Sequence, residues 1–208
     1  GNSYAYSYDT ITWTGITIND GRVDSGSTLK YKNGIWAMGT GYSGSYGSVR
    51  YSYNAYKWYV ADVSYDTIRT IEYGNGIWVV SSISALFSSP DLITYTPRSS
   101  LYGISEISYL NNKFIAAGWS SSSVAQVAIS TNGINWTAYT LSNINSSQVN
   151  NVEYNGSIYI GAFTSASNIF CSSNDGITWT GLGKGGLVNG GNGAYKIVYG
   201  MNMWVALV

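Results

Sequence analysis

The side chains able to do chemistry are few, and their spacing limits what they can do. The 208 residues contain no histidine. A Ser–His–Asp or Cys–His nucleophile is therefore excluded, as is a transition-metal centre built on imidazole. The glutamates are Glu72, Glu106 and Glu153, and the arginines are Arg22, Arg50, Arg69 and Arg98. Glu72 and Glu153 fall at one point of a repeat, just before a recurring tyrosine. The arginines fall at unrelated points, so neither set is expected to converge. Asp9, Asp91 and Asp175 recur about one repeat apart and should not meet as an acid–base pair. Each brings a single carboxylate to its turn, which is poor for Ca²⁺. Gly181-Leu-Gly-Lys-Gly-Gly186 is glycine-rich and carries Lys184, but no helix opens after it to hold a phosphate. These residues predict a non-enzymatic protein without metal or cofactor.

The aromatic residues are a richer signal. There are 8 tryptophans and 20 tyrosines, while Lys plus Arg and Asp plus Glu are 10 each. A formal net charge of zero disfavours a nucleic acid or an anionic membrane as partner. Seven tryptophans occupy two repeated columns: Trp13, Trp58, Trp136 and Trp179 in one, Trp36, Trp78 and Trp204 in the other. Packing between repeats accounts for them. Trp119 alone is out of column, in Gly118-Trp-Ser-Ser-Ser-Ser123. An aromatic ring on a serine-rich loop is what a sugar stacks against. Tyr42 and Tyr46 occupy the corresponding loop of another repeat. Tyr102, Tyr139 and Tyr195 are expected on the loops between repeats, where a fixed scaffold usually carries its function.

The elements that position these residues come from an internal repeat. One motif runs Ser7-Tyr-Asp-Thr-Ile-Thr-Trp13. It returns as Ser52 to Trp58, Ser89 to Tyr95, Ser130 to Trp136 and Ser173 to Trp179. The serines stand 45, 37, 41 and 43 residues apart. Asp9, Asn54, Asp91, Asn132 and Asp175 are its turn residues, expected to cap the turn through their side chains. A second motif alternates with it: Tyr31, Tyr73, Tyr109, Tyr154 and Tyr199, each followed five residues later by Trp36, Trp78, Phe114, Tyr159 or Trp204. Asn33-Gly34 and Asn75-Gly76 between apolar runs are strong hairpin signals. Two hairpins per repeat make four strands, and tandem four-stranded units of about 40 residues are propeller blades.

The predicted fold is therefore all-β: a single five-bladed β-propeller with four antiparallel strands per blade. The blades fall at about 28–60, 68–96, 104–138 and 149–180, with a fifth made of 195–208 plus 1–14. The chain opens in mid-repeat, as a fragment or a trimmed domain would. The ring is expected to close through this blade shared between the two ends, which would leave no open strand edge. The lone Cys171 is expected to pack within a strand.

The string Ser173-Asn-Asp-Gly-Ile-Thr-Trp179 resembles the Asp-box repeats of bacterial neuraminidases and related propellers, though one residue shorter than usual. With Tyr73-Gly-Asn-Gly-Ile-Trp-Val-Val80 it resembles repeats of phage tail, virion-associated and bacterial surface proteins. The five-blade count is similar to that of tachylectin-type lectins. These resemblances imply an extracellular, cell-surface or virion location and an adhesion or receptor-binding role, with multivalent binding of neutral glycans. The alternative is a structural, decoration or protein-interaction domain of a virion or surface assembly. A sialidase-like glycosidase ranks last.

Overall fold

The computed structural model describes residues 2–18, 25–41, 47–65, 67–82, 84–99, 101–165, 167–186 and 193–208. The chain is all-β, with one 3-10 turn at Ser142–Ile144. Four sheets have four strands each. The first holds β3 (Ser25–Lys32), β4 (Ile35–Gly41), β5 (Gly47–Ser52) and β6 (Tyr59–Tyr65). The second holds β7 (Thr70–Gly74), β8 (Ile77–Ser81), β9 (Leu86–Ser89) and β10 (Thr96–Ser99). The third holds β11 (Ile104–Leu110), β12 (Lys113–Trp119), β13 (Ala125–Ser130) and β14 (Thr137–Thr140). The fourth holds β15 (Gln148–Tyr154), β16 (Tyr159–Thr164), β17 (Phe170–Ser173) and β18 (Thr180–Gly183). Strand order follows chain order in each, and every pairing is antiparallel.

The turn residues explain the hairpins. Both central residues have positive φ in Asn33-Gly34, Asn75-Gly76, Asn111-Asn112 and Met201-Asn202, as a two-residue turn matched to strand twist requires. In the fourth sheet Asn155 instead caps its turn, its Oδ1 accepting from the N–H groups of Ser157 and Ile158.

Each four-stranded sheet has two apolar faces, and the second and third sheets have both faces covered by neighbouring sheets. Side chains alternate along a strand, so paired residues on β7 and β8 share a face. Ile71, Trp78 and Val80 turn toward the preceding sheet and pack with Ala37, Val49, Tyr51 and Ala61. Val79 and Leu86 turn toward the following sheet and pack with Ile104, Ile107 and Phe114. The third and fourth sheets repeat the arrangement, with Ile115, Val127, Val152, Phe163 and Trp179 in one cluster. Cys171 lies in that cluster, fully buried, and burial pushes its thiol up to about 12.

Side chains also tie the first strands of successive sheets together. The Lys30 ammonium meets Glu72 at 2.9 Å. The Thr70 hydroxyl accepts from the Ile107 N–H, and Asn151 Oδ1 accepts from the Ile197 N–H. Glu106 accepts from Asn151 and pairs with Lys196.

The ends differ from the sequence expectation of one shared blade. Hairpin β1 (Asn2–Tyr6) with β2 (Thr14–Ile18), and hairpin β19 (Lys196–Gly200) with β20 (Met203–Leu207), form two separate two-stranded sheets. Each is drawn to its chain neighbour. Tyr4 packs edge-on against Trp58 and donates to the Ala55 carbonyl. Ile197, with Trp204 and Ala206, packs against Ile160, Ala162 and Ile169 of the fourth sheet.

Trp78 is fully buried between two sheets. Trp78→Ala is expected to cost about 3–5 kcal/mol, as other buried aromatic truncations do. Urea unfolding monitored by circular dichroism measures it, and a loss below about 1 kcal/mol would contradict this packing.

Candidate functional site

Antiparallel order sorts the loops onto two ends of the sheets. Odd strands start, and even strands finish, at the same end. The loop inside β12–β13 therefore shares an end with the connection from β14 to β15. The serine-rich loop after Trp119 and the connection that holds Ser142–Ser147 thus lie on one face. The opposite end carries the tight hairpins and the five serine–aspartate boxes.

The boxes are built alike. In each, the Asp or Asn Oδ1 accepts two backbone N–H groups two and three residues on: Ile11 and Thr12 for Asp9, Tyr56 and Lys57 for Asn54, Ile93 and Thr94 for Asp91, Ile134 and Asn135 for Asn132, Ile177 and Thr178 for Asp175. The preceding serine hydroxyl donates to the same Oδ1. The next residue is left-handed in every copy, including Thr10, Ala55 and Leu92, where no glycine advertises it. The terminal aromatic residue starts no strand but stands just before one, and in three copies its ring bonds back to the turn. Trp58 Nε1, Tyr95 Oη and Trp179 Nε1 donate to the carbonyls of Ala55, Leu92 and Gly176 at 3.1, 3.0 and 3.0 Å. In these three copies the ring N–H or O–H is thus committed to its own turn, whereas Trp136 Nε1 is buried without a partner among the described residues. Burial opposes ionisation of Asp175, but the N–H groups of Thr178 and Ile177 and the Ser173 hydroxyl outweigh it and lower its carboxyl to about 2.

The loop end is different. Trp119 finishes β12 but is not a free platform. It is half-buried, and the two atoms shared by its fused rings lie nearest the position a Gly103 Cβ would take, 2.4 and 2.5 Å away. Gly103 therefore sits beneath the indole face, with φ of +67°. The Arg69 guanidinium stands over the ring, 5.4 Å from its centroid, and Tyr102 meets it edge-on at 6.5 Å. Sequence spacing did not connect Arg69 with Trp119, because the contact crosses from the second sheet to the third.

The serine run after Trp119 opens on a pocket of about 340 Å³ lined by Ser123, Val124, Ser142, Asn145, Ser146 and Ser147. Its walls carry serine hydroxyls, one carboxamide and the apolar Val124, and none is charged. Ser146 is committed, donating to carbonyls of Gln148 and Thr164. Ser123, Ser142, Asn145 and Ser147 are exposed. Ser82, Ser120 and Ser165 accept backbone N–H groups of their own loops, so part of the serine richness serves the turns. The sequence pointed to this loop and, separately, to the connection that holds Ser142–Ser147, but not to their meeting in one pocket.

The remaining tyrosines scatter. Tyr102 and Tyr195 are exposed at this end. Tyr139 is a correction: it lies within β14, opposite Val127, and packs against the core cluster rather than standing on a loop. Tyr42 and Tyr46 lie outside the described residues. The glutamates are occupied: Glu72 with Lys30, Glu106 with Asn151 and Lys196, and Glu153 accepting from the Tyr154 N–H.

No family model matches the chain, and no curated protein matches its sequence. Solved structures are similar in fold. The computationally designed protein Ika8 superposes with a TM-score of 0.59 over 87% of this chain and 54% of its own, at 11% identity. The designed protein Ika4 gives 0.50 over 69% and 88%, also at 11% identity. The chain thus spans about half the length of Ika8, and at that identity the likeness concerns fold alone.

The lowered carboxyl of Asp175 adds stability above about pH 4, its unfolded value, that is lost as pH falls through about 2. Asp175→Asn keeps the accepting oxygen, as Asn132 does naturally, and is expected to reduce the stability difference between neutral and strongly acid pH. Urea midpoints across the pH range test this; an unchanged acid slope would refute it.

Proposed function

We propose that the chain is a non-enzymatic carbohydrate-recognition module that binds neutral glycans at the loop end of its sheets. The supporting observation is the uncharged, hydroxyl-lined pocket of Ser123, Ser142, Asn145 and Ser147 beside the aromatic loop that starts at Trp119. Hydroxyls and a carboxamide match the donor and acceptor pattern of a sugar, and the exposed Tyr102 offers a ring nearby. Such a site is weak singly and gains strength from several copies on one surface. A cell or virion surface fits that mode of action. The tyrosine, serine and asparagine richness fits it too, being the chemistry of adaptable polar contact surfaces.

The scaffold in this reading is a five-bladed propeller. The two end hairpins are then halves of one blade, β19 and β20 inside, β1 and β2 outside. Exposed apolar faces support it. Val205 is 61% exposed, whereas its counterparts Val79, Ile115 and Ile160 are buried. Leu29 is 49% exposed, whereas Ile71, Ile107 and Val152 are buried. Trp13 is 63% exposed, against 2% for Trp179. Closure covers all three by bringing β20 against β3 and β1.

A second reading, a decoration or protein-interaction domain in a virion or surface assembly, is favoured by the packing of Trp119 against Gly103 and Arg69. In that case the loop end is a rigid contact surface with no sugar site.

Two measurements address these readings. Val205→Asp on an open sheet face should change stability by no more than about 0.5 kcal/mol. In a closed ring it buries a charge and costs several-fold more, so a neutral result in thermal unfolding sinks closure. On a glycan array, the multivalent domain should bind selected neutral glycans, with Ser147→Tyr blocking the pocket and Trp119→Ala weakening it. Absence of any binding favours the assembly reading.

A further inference from the structure

The same end of the sheets carries a cation that the neutral pocket does not use. Arg69 stands just before β7, half-exposed, with its guanidinium over the Trp119 ring. Among the described residues no carboxylate pairs with it, whereas Glu72 and Glu106 pair with Lys30 and Lys196. Gly103 fixes the indole from beneath, since no Cβ fits there, and the Trp119 N–H bonds the Gly103 carbonyl. The indole in turn draws the guanidinium over its face. Tyr102, 47% exposed, stands edge-on to the same indole.

We propose that Arg69, held by Trp119 and flanked by Tyr102, is a subsite for the carboxylate of an acidic sugar, a uronic acid unit within the bound glycan. A guanidinium held over a ring by a cation–π contact has given up part of its freedom in advance. Its N–H fork has the geometry that takes a carboxylate in two parallel bonds. Lysine offers the charge without the fork. The exposed tyrosine ring supplies the flat apolar surface that the carbon face of a pyranose covers. The run from Trp119 to Ser123 joins this subsite to the neutral pocket, so one oligosaccharide carrying both kinds of unit can reach both. This assigns Trp119 as a positioning residue, not the stacking platform. The inference rests on the glycan-binding reading and adds the class of sugar.

The test compares galactotetraose with tetragalacturonate, equal in length and differing in the carboxylates, by calorimetric titration of the intact chain. At low salt the uronate should bind about tenfold more tightly, the scale of one charge-assisted bidentate contact. Arg69→Gln should erase that preference and leave galactotetraose binding unchanged, and Arg69→Lys should keep only part of it. Circular dichroism and melting temperature establish that each variant is folded. Should Arg69→Gln fail to fold, the folded Lys variant decides, because a fork-dependent site must lose several-fold. Equal binding of the two sugars, or a preference that survives in folded Arg69→Gln, overturns the subsite and leaves the neutral pocket standing. Failure of both sugars to bind overturns the subsite together with the reading beneath it.

Discussion

A small four-stranded sheet with two apolar faces cannot shelter either of them alone. Every feature of this chain follows from that constraint. Strands of 4–8 residues leave no room for a core within a sheet. Burial must come from the sheet before and the sheet after, and the clusters around Trp78, Phe114 and Trp179 are what those contacts look like. The hydrophobic term dominates, because each buried aromatic removes 150–250 Å² from water. Polar links such as Thr70 to Ile107 and Asn151 to Ile197 then set how one sheet is placed on the next.

Much of this could be read from the residues. The alternation of two hairpin motifs marked strand count, strand order and most turns, because tight turns demand particular residues and apolar alternation demands a pleat. The boxes were readable as turns for the same reason. Their left-handed residue was readable only at Gly133 and Gly176; at Thr10, Ala55 and Leu92 the side-chain bonds of serine with aspartate or, beside Ala55, with Asn54 hold a conformation the residue itself does not favour.

The loop end was less readable, for a physical reason. Its contacts run between sheets rather than along the chain. Arg69 meets Trp119 fifty residues away in sequence, and Ser142–Ser147 face the serines after Trp119. Periodicity marked Trp119 as out of column, but nothing local says what an unassigned ring rests on. Gly103 held the clue. A glycine with positive φ at the entry to a strand is an ordinary turn signal, and here it also clears space for an indole. Tyr139 was misplaced by similar logic, since a strand end and a loop start look alike in a run of small polar residues.

The sheets also have a direction. Each turns Tyr and a Leu, Ile or Val of its first strand backward, so the backward faces are alike in type from sheet to sheet. Polar links such as Lys30–Glu72 and Asn151–Ile197 differ between junctions, while the apolar part of each interface follows one pattern. Repeat number is therefore a free variable of the apolar design. Duplicating or deleting a whole unit creates no new kind of apolar interface, and unequal recombination could change the number of units while every apolar junction stays familiar.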